Sequence, residues 1–267
     1  MLAAAGVACA QPADDPNLDK PTAVVTVPRD GYTISALVTH APGPTAFKYA
    51  VALFPGYPGI MRLREEGGQP RFAMGGNFLV RSRRFWLDEE TLVAVVDAPS
   101  DQWGSFAQFF RETGRYGADV AALLTEIGRR YKVEDWTLVG TSEGSVSAFQ
   151  AARMNPQLAR RVILTSSLFR PGRPGPGLSV ARWDELKPRL LWVHHKDDPC
   201  AYTAYRDAVA YAEKTRAPLV TVSGGGPARG EPCEAFSQHG FVGVEQETVL
   251  AMRSWVKTGA VPADIAR

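Results

Sequence analysis

Histidine and cysteine are the scarce residues of this chain, four and three among 267. Neither set has metal-ligand spacing, so a zinc centre built from them is excluded, and no metal or cofactor is expected. No apolar run reaches the length of a transmembrane span. An excess of one charge is missing too: 30 Lys and Arg stand against 28 Asp and Glu, a net charge of +2. With no basic motif carrying interleaved aromatics, that balance excludes nucleic acid as a partner. No internal repeat is apparent. The sequence leaves the oligomeric state open.

What is present suits one sizeable core, with 45% hydrophobic residues in a length common for single α/β domains. Ala23 to Val27 and Tyr32 to Thr39 read as strands joined by the hairpin signal Arg29-Asp30-Gly31. Apolar strands then alternate with helical segments: Tyr49 to Phe54, Thr91 to Val96, a helix near Ala118 to Tyr131, a strand at Trp136, a helix over Val146 to Met154 and a strand at Arg161 to Thr165. Such alternation predicts an α/β fold, a mostly parallel central sheet with an N-terminal antiparallel hairpin and helices on both faces. The domain is expected over residues 21–267, with a flexible stretch at 11–20 ahead of it.

The stretch Trp136-Thr137-Leu138-Val139-Gly140-Thr141-Ser142-Glu143-Gly144-Ser145 holds a G-x-S-x-G between an apolar strand and a helix that stops at Asn155-Pro156. A serine at such a turn is held in strained backbone with its hydroxyl above the sheet edge. The flanking glycines are expected where a Cβ would collide. In this context the sequence resembles the α/β-hydrolase fold family, a serine hydrolase or esterase with little or no cap. The resemblance covers nearly all of the chain after about residue 20 and implies a triad in the chain order Ser, acid, His.

That order is met. Arg189 to Pro199 runs as an apolar strand into an acidic turn, and Ser237-Gln238-His239-Gly240-Phe241 follows the last strand. Of the four histidines, His40 reads as a loop residue and His194 as a brace for the acid loop. His239 then becomes the general base for Ser142. The family pattern H-G-x-x-D, laid on His194-His195-Lys196-Asp197-Asp198, selects Asp198 as the acid over its neighbour Asp197; His195 replaces the usual glycine. The oxyanion hole is implied to use the backbone N–H of Glu143 and, from the loop Pro55-Gly56-Tyr57-Pro58-Gly59, that of Tyr57, because Pro58 has none.

Ser166 to Arg182 is the interval in which many hydrolases carry a cap. It centres on Pro171-Gly172-Arg173-Pro174-Gly175-Pro176-Gly177, which cannot sustain helix and excludes a large lid. The insertion from Tyr57 to Arg84 carries Arg62, Arg64, Arg71, Arg81, Arg83 and Arg84 and the run Met74-Gly75-Gly76-Asn77-Phe78. Its arginines could grip a substrate anion, and a solvated surface is the preferred reading. Trp103 and Phe106 are candidate acyl-pocket walls, core packing being an equal alternative.

The start of the chain, from Met1 to Gln11, looks like the end of a secretory signal with an Ala8-x-Ala10 site over residues 1–10; a lipoprotein site at Cys9 and a cytosolic start are the alternatives. Export, periplasmic or secreted, fits the remaining pair, Cys200 and Cys233. In the implied fold they lie on the acid and histidine loops and are placed to form a disulfide. The resemblance implies hydrolysis of a small-molecule or acyl ester. A peptidase or amidase, or a secreted binding protein on the same scaffold, remains open at this point.

Overall fold

Glycine 31 is where the chain first turns back on itself. Its positive φ of +79° closes the tight link between β1 (Thr22–Pro28) and β2 (Thr33–Thr39), which pair antiparallel along their whole length. The structure is a computed structural model that describes residues 19–133, 135–172 and 175–267. The expected signal remnant, Cys9 and the stretch at 11–20 up to residue 18 lie outside the described residues.

After the hairpin come β3 (Tyr49–Phe54), a small surface hairpin of β4 (Arg64–Glu66) and β5 (Gln69–Arg71), the one-turn α1 (Phe78–Arg81) and β6 (Thr91–Val96). Next are α2 (Gln108–Arg111), α3 (Gly114–Tyr131), β7 (Trp136–Thr141), α4 (Gly144–Met154) and β8 (Ala159–Thr165). The chain ends with β9 (Arg189–His195), α5 (Tyr205–Thr215), β10 (Leu219–Ser223), α6 (Glu245–Thr258) and β11 (Ile265–Ala266).

Nine strands form one sheet in the order β1-β2-β6-β3-β7-β8-β9-β10-β11. From β6 onward in that order every pair is parallel, and β2 meets β6 antiparallel. Strands β3, β6 and β7 are buried at every residue, as expected where helices cover both faces of a parallel sheet. One face packs against α3 and α4 through Val120, Leu124, Ile127, Val146 and Phe149. The other packs against α1 and α6 through Phe78, Leu79, Val249, Met252 and Trp255. Because the central strands are parallel, their C-terminal ends lie along one edge, and the loops after β3, β6, β7, β8 and β9 converge there.

Two helices start earlier than their composition suggests. α3 begins at Gly114 because the Thr113 side chain accepts from the Tyr116 N–H at 3.2 Å, and α4 begins at Gly144 directly after the turn. The interval Ser166 to Arg182 holds one 3₁₀ turn, Gly177–Val180, and no long helix among its described residues. It is pinned by Gln108, whose Oε1 accepts from the Gly177 N–H at 2.8 Å. No described helix is long and apolar enough to cross a membrane.

Candidate active site

Ser142 sits at the sharp turn between β7 and α4 with φ 54°, a left-handed conformation that costs a non-glycine residue of the order of 1 kcal/mol or more. The surroundings enforce it. The Ser142 N–H donates to the Thr165 carbonyl at 3.1 Å, and the Ser142 carbonyl accepts from the Ser145 hydroxyl at 2.6 Å. A Cβ on Gly140 would run into the Gly144 carbonyl, and one on Gly144 into the Phe54 carbonyl of the next strand. The glycines are therefore fixed by close backbone approach.

His239 lies in a 3₁₀ turn (Gln238–Gly240) and is buried. Its Nδ1 is 3.0 Å from Asp198 Oδ2. Asp198 follows β9 and its side chain is fully buried; Oδ1 accepts from the Cys200 N–H at 2.9 Å and Oδ2 from the Thr203 hydroxyl at 2.8 Å. Asp197 is exposed, and only its backbone takes part, its N–H donating to His195 Nδ1. The carboxylate within reach of His239 is thus Asp198. Thr203 Oγ1 is also 3.1 Å from His239 Nδ1, a partner that no feature of the sequence announces.

The backbone of the histidine turn is held from two sides. Ser166, at the end of β8, donates its hydroxyl to the His239 carbonyl at 2.7 Å, and Arg81 donates to the Gly240 carbonyl at 2.8 Å while pairing with Glu245 at 2.9 Å. His194 braces the neighbouring segment. Its Nε2 accepts from the Ser167 N–H at 3.3 Å and lies 3.1 Å from the Ser167 hydroxyl. That ring nitrogen must be the bare one, so Nδ1 carries the hydrogen. Burial pulls the His194 pKa down to about 3, and the ring stays neutral.

Glu143 contributes its backbone to the cavity wall while its carboxylate turns inward to Arg111. The pair is 2.6 Å apart with both side chains buried. Burial pushes the carboxyl up and the guanidinium down, and the contact between them offsets that pressure. Arg111 also donates to the Ser147 hydroxyl at 2.8 Å and stacks over Phe106 at 3.9 Å. Asp97, after β6, accepts from the Met61, Leu63 and Ala98 N–H groups at 2.6, 2.8 and 2.8 Å. It ties down the chain that leaves the Tyr57 loop.

Ser142, Glu143, His239 and Tyr57 all line one cavity of about 640 Å³. Its wall is largely apolar: Met74, Phe78, Leu168, Ala235 and Phe236 join Cys200 and Cys233, which are bonded to each other with Cα atoms 4.6 Å apart. Three exposed aromatics, Tyr57, Tyr202 and Phe236, stand around it. No lysine or arginine is among the described lining residues.

Two expectations need correction. Trp103 and Phe106 do not line this cavity. The Trp103 indole N–H is bonded to the Ala98 carbonyl at 3.1 Å, and Phe106 packs beneath Arg111 and against Tyr116. The arginine-rich insertion is not uniformly solvated either. Arg81 clamps the histidine turn, and Arg83 is buried with its guanidinium bonded to Thr39 Oγ1 and the Val80 carbonyl. Arg62 and Arg64 are exposed as expected.

The chain has the α/β-hydrolase fold. No family model and no curated protein matches the sequence; solved structures do. Est1E from Butyrivibrio proteoclasticus aligns with a TM-score of 0.59 at 15% identity, over 87% of this chain and 98% of that one. XC6422 from Xanthomonas campestris, an α/β serine hydrolase without a lid, aligns with a TM-score of 0.53 at 15% identity, over 89% and 93%. A dienelactone hydrolase from Anabaena variabilis aligns with a TM-score of 0.56 at 12% identity, over 91% and 99%.

Proposed function

We propose that the protein is a serine hydrolase that cleaves a neutral carboxylic ester with an apolar or aromatic acyl group. One observation carries the reading: a buried carboxylate 3.0 Å from the imidazole of His239, which shares a cavity with a serine in left-handed backbone. Ser142 Oγ attacks the acyl carbon as His239 Nε2 takes its proton. Asp198 fixes the tautomer with Nδ1–H facing it and stabilises the imidazolium. Negative charge forms on the carbonyl oxygen, towards the N–H groups of Tyr57 and Glu143. Collapse expels the alcohol, which receives the proton from His239. Water then attacks the acyl-serine by the same route and releases the acid.

The apolar wall and the absence of a lining cation among the described residues favour a neutral acyl chain over a carboxylate-bearing substrate. A structure of Est1E with ferulic acid bound is among the neighbours, which is compatible with an aromatic acyl group here. The Cys200–Cys233 bond supports an oxidising compartment, and with it export.

A fluorophosphonate probe tests the nucleophile. The protein is expected to take up one equivalent on Ser142, and Ser142→Ala to take up none and to lose turnover of short aryl esters. Absence of labelling in the unaltered protein, or labelling that survives Ser142→Ala, overturns the mechanism.

A further inference from the structure

Asn77 stands at the head of α1, inside the insertion that follows the Tyr57 loop, and it lines the cavity beside Ser142. Three of its polar groups are committed to the fold. The backbone N–H donates to the Met74 carbonyl at 2.9 Å, the backbone carbonyl accepts from the Arg81 N–H at 2.9 Å, and the side-chain Oδ1 accepts from the Leu79 N–H at 3.1 Å. That last bond sets the orientation of the amide, because an amide whose oxygen is held on one side presents its NH₂ on the other. Nδ2 has no hydrogen-bond partner among the described residues.

The position of that free NH₂ relative to the nucleophile can be read from Gly56. A Cβ built on Gly56 would stand 3.0 Å from Ser142 Cβ and 3.6 Å from Asn77 Nδ2. The amide nitrogen and the serine side chain therefore flank the same small volume, next to the residue that precedes the Tyr57 N–H. Glycine at 56 keeps that volume open, because any side chain there would meet Ser142.

We infer that Asn77 is a catalytic residue whose Nδ2–H donates to the oxyanion, a third donor beside the backbone N–H groups of Tyr57 and Glu143. This rests on the ester-hydrolase reading above. The donor is neutral and is already held by the Leu79 N–H, so no reorganisation is needed as charge develops on the carbonyl oxygen. Its bond to the tetrahedral intermediate is charge-assisted and stronger than its bond to the ground-state carbonyl, so the contribution falls on the acylation rate rather than on substrate binding.

The two jobs of this side chain are separable. Aspartate and serine both provide an oxygen to cap the Leu79 N–H, and neither provides the amide donor. Asn77→Ser and Asn77→Asp are compared with the unaltered protein using p-nitrophenyl butyrate in single-turnover measurements, with thermal melts in parallel. The expected result is acylation slowed by roughly 10²-fold in Asn77→Ser, KM within about threefold, and melting temperatures little changed. Asn77→Asp is expected to be slower still at neutral pH, since a carboxylate then faces the forming oxyanion. Its deficit relative to the unaltered protein should narrow as the pH falls towards about 4, where that carboxyl takes up a proton, while the deficit of Asn77→Ser stays constant. Acylation within about threefold of the unaltered protein in both variants, or a raised KM at unchanged kcat, overturns the assignment. Turnover that persists in Ser142→Ala would instead remove the hydrolase reading on which it stands.

Discussion

At the scale of single residues, burial drives two titratable side chains near the site in opposite directions. His194 falls from 6.5 to about 3. Asp97 is raised from 3.8 to about 6, desolvation outweighing the backbone N–H groups that donate to it. A lowered histidine leaves the folded protein short of a proton between those values, so its stabilising contribution is present above about 6.5 and is lost as the pH falls towards 3. A raised carboxyl does the reverse: its contribution is present below about 3.8 and is lost as the pH rises through 6. Between about pH 4 and 6 the two slopes oppose each other. Melting temperatures measured in steps across that window should show it. Asp97→Asn is expected to lose stability with acid more steeply than the unaltered protein, and His194→Gln less steeply or with inverted slope. Three parallel curves would show that neither group sets the acid behaviour.

At the scale of elements, the buried Arg111–Glu143 pair joins α2 to the start of α4. Its removal should be asymmetric. Arg111→Met leaves Glu143 buried without a counter-charge and is expected to cost about 3–5 kcal/mol. Adding Glu143→Leu should recover most of that loss, because the paired charges return little beyond what their desolvation costs. Chemical denaturation of the two single variants and the double variant reads the coupling directly; losses that simply add would refute it. The strands β1 to β3 and β6 to β10 were legible in the sequence to within a residue or two, and β3 and β6 to the residue, because these two are continuous apolar runs. The short β4, β5 and β11 were not, the first two being polar. The first turns of α3 and α4 were not. Gly114, Gly117, Gly144 and Ser145 are weak helix formers, and it is the Thr113 cap and the close approach of Gly144 to β3 that make them helical. Arg111 gave no sequence signal, since its partner is 32 residues away.

At the scale of the whole molecule, the parallel sheet brings residues from the ends of β7, β8 and β9 and from the turn before α6 to one edge. That the serine turn, the acid loop and the histidine loop would meet was readable, and so was the pairing of Cys200 with Cys233. Distances were not. Thr203, Ser166 and Arg81 enter the site through tertiary proximity alone, and Trp103 and Phe106 were equally plausible as pocket or core until the Ala98 carbonyl, for the one, and Arg111, for the other, decided it. In the chain-entropy view, closing a loop between two cysteines 33 positions apart contributes roughly 3–4 kcal/mol.

That bridge also changes what a cut in the backbone means. Residues 227–234 are exposed, and Arg229 lies among them, between the half-cystine beside Asp198 and the one beside His239. Trypsin cleavage after Arg229 would divide the protein into one piece bearing Ser142 and Asp198 and another bearing His239, with Cys200–Cys233 still joining them. The expected product migrates as one species without reductant and as two with it, and keeps the proposed esterase activity until the bridge is reduced. Immediate loss of activity on cleavage would mean that the intact peptide between β10 and the histidine turn, rather than the sulfur link, holds the imidazole to its carboxylate.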